Sequence, residues 1–282
     1  MAFSYARRTG AQTARTERRG GLLRLVLTVL ALAWAIRSLV FAPFSIPSGS
    51  MLPALFVGDY LLVAKWPYGY SRFSFPFGFP PIDGRILGKL PERGDVVVFR
   101  PPGSREDFVK RAIGLPGDTV EVRGGTLVLN GRALPRQSEG RFAMPLSANS
   151  PCRVVEGATA MTGQTAGGEP ACFYPVYRET LPNGRSYTVI DQVERPRGDD
   201  FPATMVPKGH VFLMGDNRDD SLDSRFAPIE GGIGFVPVEN LIGRATFVFW
   251  STDGSAEYVK PWTWFSALRA ERIGSTFGGD AR

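Results

Sequence analysis

The chain has few of the residues that most often bind metals or act as bases at neutral pH. Its 282 residues include one histidine, His210, and two cysteines, Cys152 and Cys172. A zinc site built from His and Cys would lack ligands, so we expect no metal and no cofactor. A Ser-His-Asp triad would have to use His210, which stands at the entry of an apolar strand, where a structural turn residue is the better interpretation.

The net charge is also small outside one end of the chain. The formal net charge is +6, but residues 1–24 contain six Arg and one Glu and so hold +5 of it. The remainder offers no basic groove that could follow a phosphate backbone, which argues against nucleic acid as a partner. Arginines beside an apolar run are instead typical of a membrane protein whose N-terminus stays in the cytoplasm.

A single hydrophobic run is long enough to cross a membrane. Residues 22–42 are mainly apolar, and 21 helical residues extend about 31 Å, close to the ~30 Å hydrocarbon core of a bilayer. A cleavable secretory signal is the alternative, because Ala-Leu-Ala at 31–33 is typical of a cleavage site, but apolar residues continue past it. We therefore predict a transmembrane anchor over residues 21–43, ended by Pro43, after a cytoplasmic tail at 1–20.

The remainder of the sequence alternates short apolar segments with turn residues. Dipeptides such as Asn130-Gly131 are typical of tight hairpin turns. The apolar segments predict strands at residues 60–64, 95–100, 108–113, 119–122, 126–129, 187–190, 211–214 and 245–250. The predicted fold is therefore mainly β, with few helices.

Composition suggests how this β-rich part is divided. Residues 133–205 are richer in small and polar residues and contain both cysteines, so we predict an inserted subdomain between two parts of one core, 44–132 and 206–259. The C-terminal segment 260–282 combines aromatic and basic residues, which favours an interfacial helix on the bilayer over core packing. A loop rich in Phe and Pro at 73–81 fits either membrane contact or packing.

Three separated segments contain the polar residues of a candidate active site. Each is a weak signal alone, because a serine in a turn and a lysine in a strand are common. The segments are IPSGSMLPAL at 46–55, DFVKRAIGLPGD at 107–118 and GDNRDDSLDSR at 215–225.

A serine and a lysine in these segments can form a nucleophile and its base. The hydroxyl of Ser50 needs a neighbouring base, and histidine is effectively absent. Burial disfavours the ammonium form of lysine, so Lys110 can become that base if its strand is buried. The two-residue period of a strand would then turn Arg111 to the opposite face, where it can form an ion pair.

Together, and in this order behind an apolar run, the three segments resemble those of the type I (leader) signal peptidases. These are membrane-anchored Ser/Lys endopeptidases with a β-rich catalytic core that remove signal peptides from exported preproteins. The resemblance covers most of residues 43–132 and 206–250. It implies a single-pass protein of the bacterial inner membrane with its catalytic domain outside the cytoplasm. Exported preproteins and the lipid bilayer are the implied partners, and the oligomeric state stays open.

The resemblance also implies roles for particular residues. Ser50 would be the nucleophile, Lys110 the general base, and Ser221 a hydrogen-bond partner that orients the lysine amine. The Ser48 hydroxyl and the Ser50 backbone N–H would form the oxyanion hole. The supporting ion pairs would come from Arg111, Asp216, Asp223 and Arg225.

By the same resemblance, the substrate would bind as an added strand in a cleft. Shallow pockets there would admit small side chains at the first and third positions before the cut, as in an Ala-x-Ala site. The expected cleft residues are Phe44, Ile46, Pro47, Leu55, Asp107, Phe108 and Val109. This sequence departs from the family pattern at three places: Ala54 replaces a usual Thr, Asp220 a usual Asn, and residues 226–233 form a longer segment than usual.

Two other functions are compatible with these residues, and the two cysteines predict one covalent link. A Ser/Lys self-cleaving repressor would share the chemistry but would need a DNA-binding motif in place of the anchor. A non-catalytic membrane-anchored β-module would have a merely structural serine. Cys152 and Cys172 are expected to form a disulfide, because the domain would face an oxidising compartment; two free buried thiols are the alternative.

Overall fold

The computed structural model describes residues 6–158, 161–193, 196–257 and 259–277. The ends of the predicted basic tail and of the predicted C-terminal segment, residues 1–5 and 278–282, lie outside these ranges. The strands, in chain order, are β1 (Phe41–Ser45), β2 (Asp59–Ala64), β3 (Val96–Phe99), β4 (Phe108–Gly114), β5 (Thr119–Arg123), β6 (Thr126–Leu129), β7 (Arg132–Ala133), β8 (Arg136–Pro145), β9 (Thr162–Gln164), β10 (Pro170–Thr180), β11 (Ser186–Ile190), β12 (Phe201–Met205), β13 (His210–Met214), β14 (Val236–Pro237) and β15 (Leu241–Ser251).

Helices make a smaller contribution. The long helix α1 (Ala6–Ala35) continues into a π-helical turn (Ile36–Val40), and two one-turn helices follow later, α2 (Pro196–Asp199) and α3 (Thr263–Ser266). Single 3₁₀ turns occur at Trp66–Tyr68, Arg72–Ser74, Pro76–Gly78, Arg218–Asp220, Pro228–Glu230, Val238–Asn240 and Ala270–Arg272. All eight predicted strands are present, so the mainly β class is confirmed.

The N-terminal helix is shorter at its end than predicted. By length and composition, Gly21–Val40 could cross a membrane. The predicted end at residue 43 was wrong, because the chain becomes extended at Phe41 and β1 pairs with β2 from there on. Pro43 lies within β1, which is an edge strand, so its missing N–H costs little. The backbone N–H of Lys65 donates to the Val40 carbonyl (3.0 Å), which ties the end of the helix to the sheet.

A seven-stranded antiparallel sheet forms the centre of the molecule, in the order β1-β2-β15-β3-β4-β13-β14. Both faces of β3 are covered: Val96 and Val98 pack in one hydrophobic cluster, while Val97 and Phe99 pack in another. The sheet is thus buried on both sides at its middle, and a charged side chain projecting from β4 there enters a dry environment.

Residues 133–205 are tied closely to the rest. Strands β8, β9, β10 and β11 form a sheet of their own, whereas β12 pairs with β5 in a third sheet, β12-β5-β6-β7. Met144 and Tyr174 pack in one cluster with Leu52 and Phe56, directly after Ser50 in the chain. The predicted Cys152–Cys172 disulfide is confirmed, with the two Cα atoms 5.3 Å apart.

The C-terminal segment packs on the domain. The expected interfacial helix is reduced to the single turn α3, and Phe277 is buried in the core. Arg269 donates to the Val57 carbonyl (2.9 Å), and Arg272 donates to the Ala54 carbonyl (2.9 Å). These two basic side chains brace the loop after Ser50, which explains why they do not form a free cationic face.

Candidate active site

Ser50 lies in a tight turn between β1 and β2. The turn is fixed from the far side by Asn217, whose backbone N–H donates to the Ser50 carbonyl (3.1 Å) and whose side-chain Nδ2 donates to the Gly49 carbonyl (3.2 Å). Gly49 is buried, while Ser50 is half-buried. The turn therefore presents the Ser50 hydroxyl from a rigid backbone.

Lys110 projects from β4, between β3 and β13, and is 4% exposed. Its Nζ lies 2.6 Å from Ser50 Oγ and donates a hydrogen bond to it when protonated. Burial lowers the pKa of Lys110 from 10.5 to about 8, although Asp223 and Asp216 act in the opposite direction. The predicted pair of nucleophile and base is in hydrogen-bonding contact.

Arg111 faces the other side of β4, as the strand period predicts. Its Nε and Nη2 donate to the two carboxylate oxygens of Asp216 at 2.8 and 2.6 Å, and its guanidinium lies 4.5 Å from the centre of the Tyr187 ring. Both charged side chains are almost fully buried. This bidentate pair joins β4 to the segment that follows β13, so it fixes the position of the neighbouring Lys110.

Asp223 gathers the groups of the third motif. It receives hydrogen bonds from the Ser221 hydroxyl (2.9 Å), the Gly215 N–H (2.9 Å) and Arg225 Nε (2.9 Å). Burial alone would raise the pKa of Asp223, but Arg225 and the hydrogen bond from the Gly215 N–H lower it below its usual value. The carboxylate thus stays charged in the interior.

The expected hydrogen bond from Ser221 to the Lys110 amine is replaced by a different one. In this structure Ser221 Oγ donates to Asp223 Oδ2, and Lys110 Nζ bonds Ser50. The charged carboxylate of Asp223 accepts the Ser221 hydroxyl proton well, whereas a protonated Lys110 amine is itself a donor and cannot accept it. Ser221 still lines the same cavity as Lys110.

Ser48 lies at the open side of the turn. Its hydroxyl is exposed, and its Oγ is 3.4 Å from Ser50 Oγ. A donor at this distance from the nucleophile, together with the Ser50 backbone N–H, can reach an oxygen bound to the carbon that Ser50 attacks. The predicted oxyanion donors are therefore close to the nucleophile.

A cavity of about 770 Å³ opens over Ser50 and Lys110. Six of the seven predicted cleft residues line it: Phe44, Ile46, Pro47, Asp107, Phe108 and Val109. Leu55 was predicted wrongly. It is 0% exposed and packs in the core beneath the cavity, because the turn after Ser50 points it inward. Met51 lines the cavity instead.

Two residues of the site were not predicted from the sequence. Arg153, from the segment predicted as an insert, lines the cavity, and its Nε lies 3.5 Å from Asp220. Its place directly after the predicted disulfide residue Cys152 was the signal that could have located it. Gly215 is the other case: a Cβ there would lie 2.3 Å from Ser221 Oγ and 2.5 Å from the Ser50 carbonyl. A glycine at the start of the third motif marks this close approach.

One group of carboxylates in the described residues could hold a metal ion: Asp191, Asp199 and Asp219 have oxygens within 4.8 Å of one another. Protein groups already bind these carboxylates; Asp191, for example, pairs with Arg136, and Asp219 accepts the N–H of Gln192. The chemistry of Ser50 and Lys110 requires none of these three.

Comparisons with known proteins agree on one family. The family model "Signal peptidase, peptidase S26" matches residues 19–250. Signal peptidase I of Rickettsia typhi is 35% identical over 233 residues, which cover 79% of this chain and 77% of that protein; signal peptidase I of Rickettsia conorii is 34% identical with the same coverage. A crystal structure of a signal peptidase I from Enterococcus faecalis is 27% identical and covers 56% of this chain and 98% of its own, but the TM-score of 0.29 is too low to support an argument.

Proposed function

We propose a mechanism from one premise, which is that the chain belongs to the signal peptidase family, peptidase S26. It is then a membrane-anchored serine endopeptidase that removes signal peptides from exported preproteins. The observation that carries the mechanism is the 2.6 Å contact between Ser50 Oγ and Lys110 Nζ at the floor of an open cavity. Without the amine at that distance, the serine would have no base.

The first step transfers one proton within this pair. Neutral Lys110 accepts the hydroxyl proton of Ser50 while Oγ attacks the carbonyl carbon of the scissile bond. The oxygen of that carbonyl becomes an oxyanion, which the Ser48 hydroxyl and the Ser50 N–H stabilise. When the tetrahedral intermediate collapses, the protonated Lys110 gives its proton to the leaving amine. An acyl-enzyme on Ser50 remains.

The second step repeats the same transfer with water. Lys110, neutral again, takes a proton from a water molecule that attacks the ester carbon, and then returns a proton to Ser50 Oγ. Ser221, Asp223 and Arg225 maintain the buried polar surroundings of the amine. Asp223 is charged, so it also limits how far the lysine pKa falls; about 8 leaves a usable neutral fraction near pH 7 to 8.

Specificity and topology follow from the shape of the cleft and the charge of the tail. Ile46 and Val109 line the cavity as branched apolar side chains, which favours small residues at the first and third positions before the cut. The arginine-rich N-terminus favours the cytoplasm, so the catalytic domain would lie on the outer side of the inner membrane.

The test is cleavage of a preprotein with an Ala-x-Ala site by purified full-length protein in detergent. We expect Ser50→Ala to lose cleavage by 10⁴-fold or more, on the order found when a catalytic serine is removed. Ser255→Ala, which changes an exposed serine in a distant loop, should behave as the parent chain. Absence of cleavage together with absence of labelling by a serine-acylating inhibitor would favour the non-catalytic alternative.

A further inference from the structure

A second cavity lies next to the first and has no role in the mechanism above. Its volume is about 870 Å³. Three phenylalanines line it, Phe201, Phe226 and Phe235, along with several prolines. Phe226 and Glu230 line both cavities, so the two spaces are neighbours on either side of one loop.

This loop, residues 226–234, contains the segment 226–233 that we expect to be longer than in the family pattern. It is internally bonded: the Gly232 N–H donates to the Ala227 carbonyl (3.1 Å), and the Gly234 N–H donates to the Phe226 carbonyl (3.0 Å). A Cβ on Gly232 would lie 2.2 Å from the Phe226 carbonyl oxygen, so the loop closes as tightly as its backbone permits. It is a preformed wall between the two cavities.

The base of the 226–234 loop rests on the catalytic network. The N–H groups of Phe226 and Ile233 both donate to the Asp223 carbonyl, at 3.1 and 3.3 Å. Asp223 binds Ser221 and Arg225 through its side chain. The loop is therefore placed relative to Lys110 and Ser50 by short, buried contacts.

The position of the second cavity indicates which part of a substrate can reach it. His210 of β13 lines it, and β14 lies next to β13 at the edge of the seven-stranded sheet, six strand positions from β1. β1 follows directly from the apolar helix, so a signal peptide whose apolar part lies in the same bilayer would approach from that edge. The chain after the cut would then lead away from β1, toward β13 and β14.

We propose that the 226–234 loop and the cavity behind it bind the residues that follow the scissile bond, the start of the mature protein. The occupant is an extended segment with an apolar or aromatic side chain, which would pass over Phe226 and be seated among Phe201 and Phe235. This inference rests on the proposed function. It adds a recognition site beyond the Ala-x-Ala positions.

The test uses pairs of substrates that share one signal peptide and one cleavage site. After the cut, one substrate has two residues and the other has ten, with phenylalanines among the additional eight. For the parent enzyme we expect kcat/KM to be about tenfold higher for the long substrate. Phe226→Ala should reduce this ratio to below about twofold. Ile229→Ala changes the same loop at a side chain that is 95% exposed and absent from both linings, so it should retain the ratio.

The outcomes separate this inference from the proposed function. If neither substrate is cleaved by the parent enzyme, the proposed function fails. If both are cleaved equally well, or if Phe226→Ala keeps the tenfold ratio, the function stands and the second site is wrong. A thermal unfolding curve that matches the parent protein shows that Phe226→Ala is folded.

A second measurement avoids that variant. Ser50→Ala protein is photolysed with a long substrate that carries p-benzoylphenylalanine six residues after the cut. We expect crosslinked peptides from residues 198–207 or 224–235. Crosslinks confined to β1 or to residues 106–109 would overturn the proposal, because they would place the mature segment on the opposite wall.

Discussion

Lys65 and Lys110 are two buried lysines in one domain, and their comparison separates burial from catalysis. Each is 4% exposed, and burial lowers the pKa of each to about 8. Lys110 contacts a serine hydroxyl at an open cavity, whereas Lys65 Nζ donates to the Ser74 carbonyl (3.1 Å) and lies 5.7 Å from the centre of the Phe44 ring.

The difference teaches that a low lysine pKa is not sufficient to make a base. Desolvation supplies the neutral amine in both places, but a reaction needs an acidic proton within reach and space for the carbon that is attacked. Lys65 fastens the Phe/Pro loop to the sheet. Lys110 meets both conditions.

The sharpest test replaces each lysine by methionine, which keeps the length and removes the amine. We expect Lys110→Met to lose kcat/KM by 10⁴-fold or more, because Ser50 then has no base. Lys65→Met should stay within about threefold of the parent enzyme. Cleavage of a preprotein by the purified full-length variants measures both. If both folded variants lose kcat/KM equally, the claim that only Lys110 acts in cleavage is wrong.

Gly215→Ala should disturb the contact between Ser50 and Lys110 and leave the surroundings of Lys65 unchanged. The added methyl would lie against Ser221 Oγ and the Ser50 carbonyl, so the nucleophile must move away from Lys110. We expect kcat to fall about 100-fold, since a displacement near 1 Å can have that effect. Gly167→Ala is the matched control, because Gly167 also lacks a positive φ and a Cβ there would have no atom nearer than Thr165 Oγ1 at 3.7 Å. A loss of the same size in Gly167→Ala would mean that crowding beside Ser50 does not explain the effect.

The pH profile of cleavage should report Lys110. Below pH about 8 the amine is mostly protonated, so kcat/KM should rise about tenfold per pH unit and level off above that value. Lys65→Met should keep the same profile. If the midpoint of the pH profile moves in Lys65→Met, the titration that controls cleavage belongs to Lys65 and not to Lys110.

The free energy of unfolding should depend on pH through both lysines. Each has a folded pKa near 8 and an unfolded value near 10.5, so the unfolded state binds more protons between these values and stability rises with pH there. The gain is about 1.4 kcal/mol per pH unit for each lysine. Urea unfolding in detergent from pH 8 to 9.5 measures it, below the range where buried Tyr68 and Tyr187 begin to oppose it. Lys65→Met should show half the parent slope; an unchanged slope would contradict the assignment.

Much of this could be predicted because the signals are local. Apolar alternation located the eight strands, and the two-residue period placed Lys110 and Arg111 on opposite faces. In both cases a short segment contains the information. The contact between Ser50 and Lys110 joins distant segments, and the resemblance to a known family implied it, not a local signal.

What could not be predicted depends on contacts between distant segments. Strands β8 and β10, which we did not predict, are stabilised by pairing with each other and by packing on Leu52 and Phe56. The inward turn of Leu55 depends on how the C-terminal tail braces that loop. The choice of Asp223 over Lys110 as the acceptor for Ser221 is decided by charge in a site assembled from three segments.

The direct passage from the helix at Val40 into β1 at Phe41 has a kinetic consequence. With the helix in a bilayer as proposed, no linker separates Val40 from Phe41, so the distance between the catalytic domain and the bilayer surface is nearly fixed. Enzyme and preprotein are then confined to the same thin layer, so they meet by lateral diffusion in two dimensions and at a high effective concentration. A modest intrinsic affinity for the few residues around the cut can therefore suffice for efficient encounter.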